Sequence, residues 1–123
     1  MKLLAALLPT ILFTAYSQLV IKWRVATLAA SNDAPMNATS RTVHYLTDPY
    51  VISAYVAALL GAIAWLYVAE RHPVSIAFPT YIGVLFAVVT TGSAFLLRET
   101  VSAHHLVGTA LIIAGVVIVS RAA

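Results

Sequence analysis

Four long apolar runs, separated by short polar segments, dominate the pattern of this chain. Each is uncharged and close to the roughly 20 apolar residues that a helix needs to cross the hydrocarbon of a bilayer. The pattern therefore predicts an all-α membrane protein with four transmembrane helices in a single domain over residues 1–123. We expect these spans at about residues 3–22, 50–69, 73–97 and 101–120, with a loop at residues 25–49.

Two segments of the pattern need a further reading. Lys2, the apolar Leu3–Phe13 and the small residues near Ser17 imitate a secretory signal peptide. Because Leu19–Ile21 extends the apolar run onward, we expect a retained span instead. Within the loop, Arg41–Leu46 is consistent with a short helix lying at the membrane interface.

Composition and charge support a membrane protein. The chain is 62% hydrophobic and 9% charged, whereas an average soluble domain is roughly 25% charged. Its net charge of +3 is spread over the span ends, which predicts contact with membrane lipid and no nucleic-acid partner. Lysines and arginines divide three against four between the two sides, so the positive-inside rule does not fix the orientation.

The acidic residues limit the mechanism. All four of them lie outside the apolar runs, at Asp33, Asp48, Glu70 and Glu99. A proton-coupled carrier usually needs an ionisable group within the membrane, so the pattern argues against such coupling. The chain also lacks cysteine, a glycine-rich phosphate loop and a nucleophile–base pair. We therefore expect no catalytic residues, no enzyme activity, no cofactor and no metal site.

The first span carries a polar stripe. Its members are spaced i, i+4, i+7 and i+8, which places them on one face of a helix. Lipid offers polar groups no partners, so this face should turn toward the protein interior or a wet cavity. The stripe can form a path for a polar substrate, or its members can join helices by hydrogen bonds. They are Thr10, Thr14, Ser17 and Gln18.

The third span contains a helix interruption. Pro79 lacks a backbone donor and should kink the helix, leaving a free carbonyl near Ser75. Gly83 allows close approach to the backbone, and Tyr81 adds a ring with a polar end. Interrupted helices line binding sites in many transporters, although such a kink can also serve packing alone.

Two basic residues lie at the end of the first span, and two glycines mark the last span. Lys22 and Arg24 are candidates for binding a phosphate, or they are ordinary anchors in the headgroup layer. Gly108 and Gly115 lie seven residues apart on one helix face, which predicts a dimer interface. Ser102 is the expected N-cap of this span. The predicted substrate-binding residues are thus Thr10, Thr14, Ser17, Gln18, Lys22, Arg24, Ser75, Pro79, Tyr81 and Gly83.

Several of these segments resemble the small four-span proteins of the drug/metabolite transporter superfamily, which includes the EamA-like and small multidrug resistance groups. Pro73–Pro79 is similar to their third-span opening, and Leu97–Ser102 with Gly108–Val116 is similar to their fourth-span signature. Ser17-Gln18-Leu19-Val-Ile-Lys22 resembles a motif of the flippase subunits that move aminoarabinose-phosphoundecaprenol. The resemblance covers roughly two-thirds of the chain.

One departure separates the branches of this superfamily. The multidrug branch exchanges protons for drugs through a first-span glutamate, and counting back from Lys22 places Thr14 at that position. A hydroxyl does not exchange protons near neutral pH. The resemblance therefore implies a flippase component of the bacterial inner membrane that moves a polyprenyl-phosphate-linked sugar or a similar anionic amphiphile. It also implies a homodimer, or a heterodimer with a similar small subunit.

Two alternatives remain at this point. One is a carrier of small cations or metabolites, which a requirement for a proton gradient would indicate. The other is a non-transporting accessory subunit of a membrane complex.

Overall fold

The computed structural model describes residues 2–31 and 37–122, and everything in this range that is regular is helical. Four of these helices are long and apolar enough to cross a membrane. The predicted all-α fold with four membrane helices is therefore confirmed, whereas dimerisation stays a prediction. Asp33 lies outside the described residues. The helices are α1 (Lys2–Ser31), α2 (Ala38–Leu46), α3 (Pro49–Arg71), α4 (Val74–Leu96) and α5 (Ala103–Ser120).

Side-chain caps fix the starts of three helices. Asp48 precedes α3, and its carboxylate accepts a hydrogen bond from the backbone N–H of Val51 at 3.2 Å. Ser102 is the N-cap of α5 as predicted, since its hydroxyl accepts from the N–H of His105 at 3.3 Å. Asn37 caps the short α2 in the same way. These caps satisfy backbone donors that have no partner inside the helix.

α1 lies at the centre of the bundle. It packs along α3 and also against α4, while α5 packs mainly against α4. Leu7 and Ile11 of α1 form the core with Val68 of α3 and Ala77 of α4. α3 and α4 contact each other mainly near their short connection, where Trp65 meets Phe78 and Tyr81. The short link between them thus does not bring these neighbours together along their length, because α1 occupies the space between them.

Much of the apolar surface faces outward, as expected of a protein immersed in lipid. Leu12, Leu59 and Phe95 are exposed over 62%, 62% and 79% of their surface. None of the residues of α5, all of which are described, is buried. A Cβ atom added to Gly108 or Gly115 would meet no other atom within 4 Å. The face predicted to form the dimer interface is therefore open in the single chain.

The C-terminal part of α1 extends beyond the apolar run and is tied to α3. It continues past Lys22 to Ser31. The guanidinium of Arg24 donates two hydrogen bonds to Asp48, from Nη2 to Oδ1 at 2.7 Å and from Nε to Oδ2 at 3.0 Å. The short helix predicted at Arg41–Leu46 is present as α2, which begins at Ala38 and buries none of its residues. Its location at the membrane interface stays a prediction.

Candidate functional site

A cleft with a mixed polar and apolar lining opens between α1, the C-terminal part of α4 and the start of α5. Its volume is about 430 Å³. Apolar side chains such as Leu19 and Phe86 form part of its wall, and hydroxyl, amide and charged groups form the rest. This combination suits an amphiphile whose polar head needs hydrogen bonds and charges. The polar lining consists of Gln18, Lys22, Thr90, Ser93, Glu99, Thr100 and His105.

The polar stripe of α1 divides between this cleft and the helix contacts. Gln18 is exposed and lines the cleft. Thr10 and Ser17 are buried, and the Thr10 hydroxyl has no hydrogen-bond partner among the described residues. Thr14 accepts a hydrogen bond from the Tyr81 hydroxyl at 3.1 Å. Thr10 and Ser17 therefore turn inward as predicted, whereas Gln18 is exposed and reaches the cleft.

The approach of α1 to α3 explains why these hydroxyls are enclosed. At Gly61 a Cβ atom would lie 3.1 Å from Thr14 Oγ1 and 3.5 Å from the Thr10 carbonyl oxygen. Even a methyl group at this position of α3 would require its neighbours on α1 to shift by a few tenths of an ångström. Thr10 and Thr14 thus lie where the backbones come close, which is the usual position of small residues that join membrane helices.

An ion pair spans the open end of the cleft. Lys22 Nζ lies 3.8 Å from Glu99 Oε1, and the two side chains are 63% and 42% exposed. Glu99 follows Arg98, which adopts the left-handed backbone conformation with φ of 55°. This conformation reverses the chain direction, so that the N–H of Glu99 donates a hydrogen bond to the carbonyl oxygen of Ser93 at 3.1 Å. A non-glycine residue in this conformation costs roughly 1–2 kcal/mol, so the turn that places Glu99 is held under local strain.

Arg24 has a different environment from Lys22. Its guanidinium carbon lies 5.3 Å from the Trp23 ring centre and 4.9 Å from that of Tyr50, in addition to the paired contact with Asp48. The hydrogen bonds from Arg24, with that from the Val51 amide, lower the pKa of the Asp48 carboxyl. Arg24 is absent from the lining of the cleft. These contacts favour the anchoring interpretation of Arg24 over direct substrate binding.

The predicted interruption at Pro79 does not break α4, and this segment does not line the cleft. α4 continues through Pro79, and the Thr80 hydroxyl donates to the carbonyl oxygen of Ile76 at 2.7 Å. Ser75 is exposed in the first turn. Gly83 is buried against Val116 of α5, so this side chain is the group that approaches its backbone. The structure therefore brings Tyr81, but neither Ser75 nor Gly83, to the polar stripe.

A second, mainly apolar cavity of about 800 Å³ lies at the opposite end of the bundle. Gly83 and Val116 form part of its wall, and Lys2, His72 and Ser120 lie around it. Within residues 2–31 and 37–122, no three histidine, aspartate or glutamate side chains come together in a way that could hold a metal ion.

Five polar residues of the cleft were not among the predicted site residues: Thr90, Ser93, Glu99, Thr100 and His105. Their signals in the sequence are weak when taken separately. Thr90 and Ser93 belong to a run of small residues, which suggests close packing. Glu99 belongs to a short connection, and His105 to the start of a span, where contact with headgroups is the simplest interpretation. Only the meeting of α1 with the ends of α4 and α5 shows that they share one cleft.

Comparison with known proteins defines the relationship. A relative from Pseudomonas aeruginosa (strain UCBPP-PA14) is 34% identical over 124 residues, which cover 97% of each chain. One from Sodalis glossinidius is 45% identical over 60 residues, covering 47% of this chain and 53% of the relative. Each is named a probable 4-amino-4-deoxy-L-arabinose-phosphoundecaprenol flippase subunit, ArnE. No family model and no solved structure matches the chain.

The four apolar helices and this end-to-end similarity define a small membrane transporter subunit of the drug/metabolite transporter superfamily, not an enzyme. Such a subunit is a multi-pass protein of the bacterial inner membrane. Within that class, the chain belongs to the ArnE family of flippase subunits. The resemblance, the class of function and the location predicted from the sequence are thereby confirmed.

Proposed function

We propose that this chain is one subunit of a flippase that moves an undecaprenyl-phosphate-linked aminosugar, or a closely similar amphiphile, across the inner membrane. The observation that carries the proposal is the relationship to ArnE subunits over 97% of both chains. The cleft at one end of the bundle, which combines apolar walls with hydroxyl, amide and charged groups, supports it. Such a site can bind the polar head of a lipid while the hydrocarbon tail stays in the surrounding membrane.

The physical task of the protein is to lower the cost of moving the head. An unshielded charge at the centre of a bilayer costs from about 3 to more than 10 kcal/mol. A long isoprenoid tail has no such cost, since it stays in hydrocarbon throughout. Groups that replace the water around the phosphate and the sugar are therefore sufficient for uncoupled movement down a concentration gradient. The absence of acidic residues within the four apolar runs agrees with such a mechanism.

We assign the first contact with the head to Gln18 and Lys22. Both line the cleft, and they lie one helical turn apart on α1. The Lys22 ammonium pairs with the phosphate, and the Gln18 amide hydrogen-bonds to its oxygens or to the sugar. Further along α1, the linked hydroxyls of Thr14 and Tyr81 provide the next polar groups. Thr10 and Ser17 are buried, so they join the path only when α1 moves relative to its neighbours.

The remaining predicted residues have supporting roles in this proposal. Arg24 holds the protruding end of α1 to the start of α3 through Asp48. Pro79 and Gly83 set the course of α4 and its contact with α5. Ser75 is exposed in the first turn of α4, where it can contact headgroups.

The functional unit in this proposal contains a second small subunit. The related proteins are named as subunits, although their names do not say of what partner. In the single chain the cleft is open and α5 buries none of its residues. We place the second subunit, a copy of this chain or a similar protein, against the face of α5 that carries Gly108 and Gly115.

The experiment is a flipping assay with purified protein in sealed liposomes, with no pH gradient. The probe is an undecaprenyl-phosphate aminosugar, whose movement is compared with that in protein-free vesicles. Gln18→Leu should abolish the movement while the helical content and melting temperature stay unchanged, because Gln18 is exposed. A parallel fall in stability and activity would instead make Gln18 a packing residue. Movement that requires a second polypeptide would identify the chain as an incomplete half of the flippase.

A further inference from the structure

We infer that Glu99 selects the substrate by binding a cationic group on the head, opposite the phosphate site at Lys22. This inference rests on the proposed function and extends it. The cleft would then bind both charged groups of a zwitterionic head, the phosphate and the amine. Glu99 becomes a specificity-determining residue, whereas Lys22 serves any lipid phosphate.

The Lys22–Glu99 pair has the geometry of an open site. Its 3.8 Å separation is at the outer limit of an ion pair, and neither side chain is buried. Exposed pairs of this kind contribute little to stability, so a ligand that offers each member a better partner can separate them. Both charged groups line the same cleft, together with the hydroxyls of Thr90, Ser93 and Thr100.

The sign of the charges makes the pair selective. A lipid phosphate that binds Lys22 brings a negative charge close to Glu99, and like charges disfavour each other. An ammonium group on the same head removes this penalty and gains a carboxylate partner. A head with a neutral sugar keeps the penalty. The same acid therefore favours aminosugar heads and discriminates against neutral ones, which is how specificity often arises.

The local structure places Glu99 in this position. The left-handed conformation of Arg98 reverses the chain, and the hydrogen bond from the Glu99 N–H to Ser93 closes the turn. Strained backbone of this kind persists when the surrounding structure holds it, and it is often found at functional sites. His105 also borders the cleft, and its Nδ1 lies 2.9 Å from the Ser102 hydroxyl. The His105 imidazole is therefore hydrogen-bonded to Ser102 at the start of α5.

The test compares two lipids in the same liposomes. One is the undecaprenyl-phosphate aminosugar, and the other is its N-acetylated form, in which the amine is neutral. The wild-type full chain, with its second subunit if movement requires one, should prefer the amine. Glu99→Gln should reduce this preference by roughly two- to fivefold, the range expected for one partly exposed ion pair. Movement of the acetylated lipid should stay equal or rise.

Three further variants isolate the effect. Glu70→Gln changes an exposed glutamate at the other end of the bundle and should leave the preference unchanged. Lys22→Gln should slow both lipids together, since it removes the phosphate contact they share. Glu99→Asp keeps the charge and should retain part of the preference.

The outcomes separate the inference from the function on which it rests. Movement of neither lipid by the wild-type protein would overturn the proposed function and the inference with it. Equal movement of both lipids by the wild type would leave the flippase intact and overturn the inference. The same conclusion follows if Glu99→Gln keeps the full preference. Loss of all movement in both Glu99→Gln and Glu99→Asp would make Glu99 a structural residue and overturn the inference as well.

Discussion

Gly83 of α4 lies directly against Val116 of α5, and replacing it tests the packing of the bundle. A Cβ atom at this position would overlap Val116 Cγ2 and lie 3.3 Å from Val116 Cβ. Valine has one strongly preferred side-chain rotamer in a helix, so it cannot turn away at low cost. Gly83→Ala should therefore force α5 away from α4, which is its main neighbour.

The size of the effect follows from this overlap. Adding a methyl group to a well-packed contact costs about 1–3 kcal/mol, and we expect a loss of unfolding free energy in this range. Val116→Ala removes the overlapping methyl groups and leaves the 3.3 Å contact, which a shift of a few tenths of an ångström would relieve. The double variant should thus recover most of the loss, with a coupling energy of about 1–2 kcal/mol.

The measurement is equilibrium unfolding by SDS in mixed micelles, followed by far-UV circular dichroism. Gly92→Ala is the matched control on the same helix. Its Cβ would lie 2.8 Å from Leu19 Cδ1, the end of a flexible side chain that can rotate aside. We expect a smaller loss for this variant. Wild-type stability of Gly83→Ala, or a failure of Val116→Ala to restore it, would refute the packing argument.

Two further predictions concern the ends of the bundle and its open face. The pKa of Asp48 is lowered in the folded protein, so its contribution to stability is present above the unfolded pKa of about 3.9 and disappears as the pH falls through the folded value. Asp48→Asn should therefore lower the melting temperature at pH 7 and flatten its decline in acid; an unchanged pH profile would contradict this. Gly115→Leu, by contrast, should leave the melting temperature of the monomer within a few degrees of wild type, since nothing lies within 4 Å of this position. It should still reduce cross-linking between subunits in liposomes, and unchanged cross-linking would exclude this face as the interface.

Much of the fold could be predicted because a membrane leaves few choices. Backbone groups in lipid must be hydrogen-bonded within the segment, so four apolar runs of sufficient length imply four helices. The cap at Ser102 depends on neighbouring residues in the chain, so it could be predicted from the sequence as well. The order of packing is different. The short link after Arg71 suggests that α3 and α4 lie side by side, yet α1 lies between them along most of their length.

The candidate site was harder to predict, because it also depends on which helices pack together. Helical spacing places Thr10, Thr14 and Ser17 on one face, but it does not say which helix covers that face. The pairing of Lys22 with Glu99 joins residues far apart in the chain and depends on the turn at Arg98. Arg24 and Lys22 look alike in the sequence. Asp48 engages Arg24 and leaves Lys22 as the basic residue that lines the cleft.

The central place of α1 has a consequence for how the protein is made. α1 is synthesised first, but its second partner, α4, is complete only about 65 residues later. At a synthesis rate of about 5–20 residues per second, α1 lies in the membrane for roughly 3–13 s before α4 is available to complete the core. Serine and threonine hydroxyls can stay hydrogen-bonded during this interval, because each can donate to a backbone carbonyl of its own helix. A carboxylate at the position of Thr14 would be costly to leave in lipid without a partner, so a hydroxyl there eases assembly.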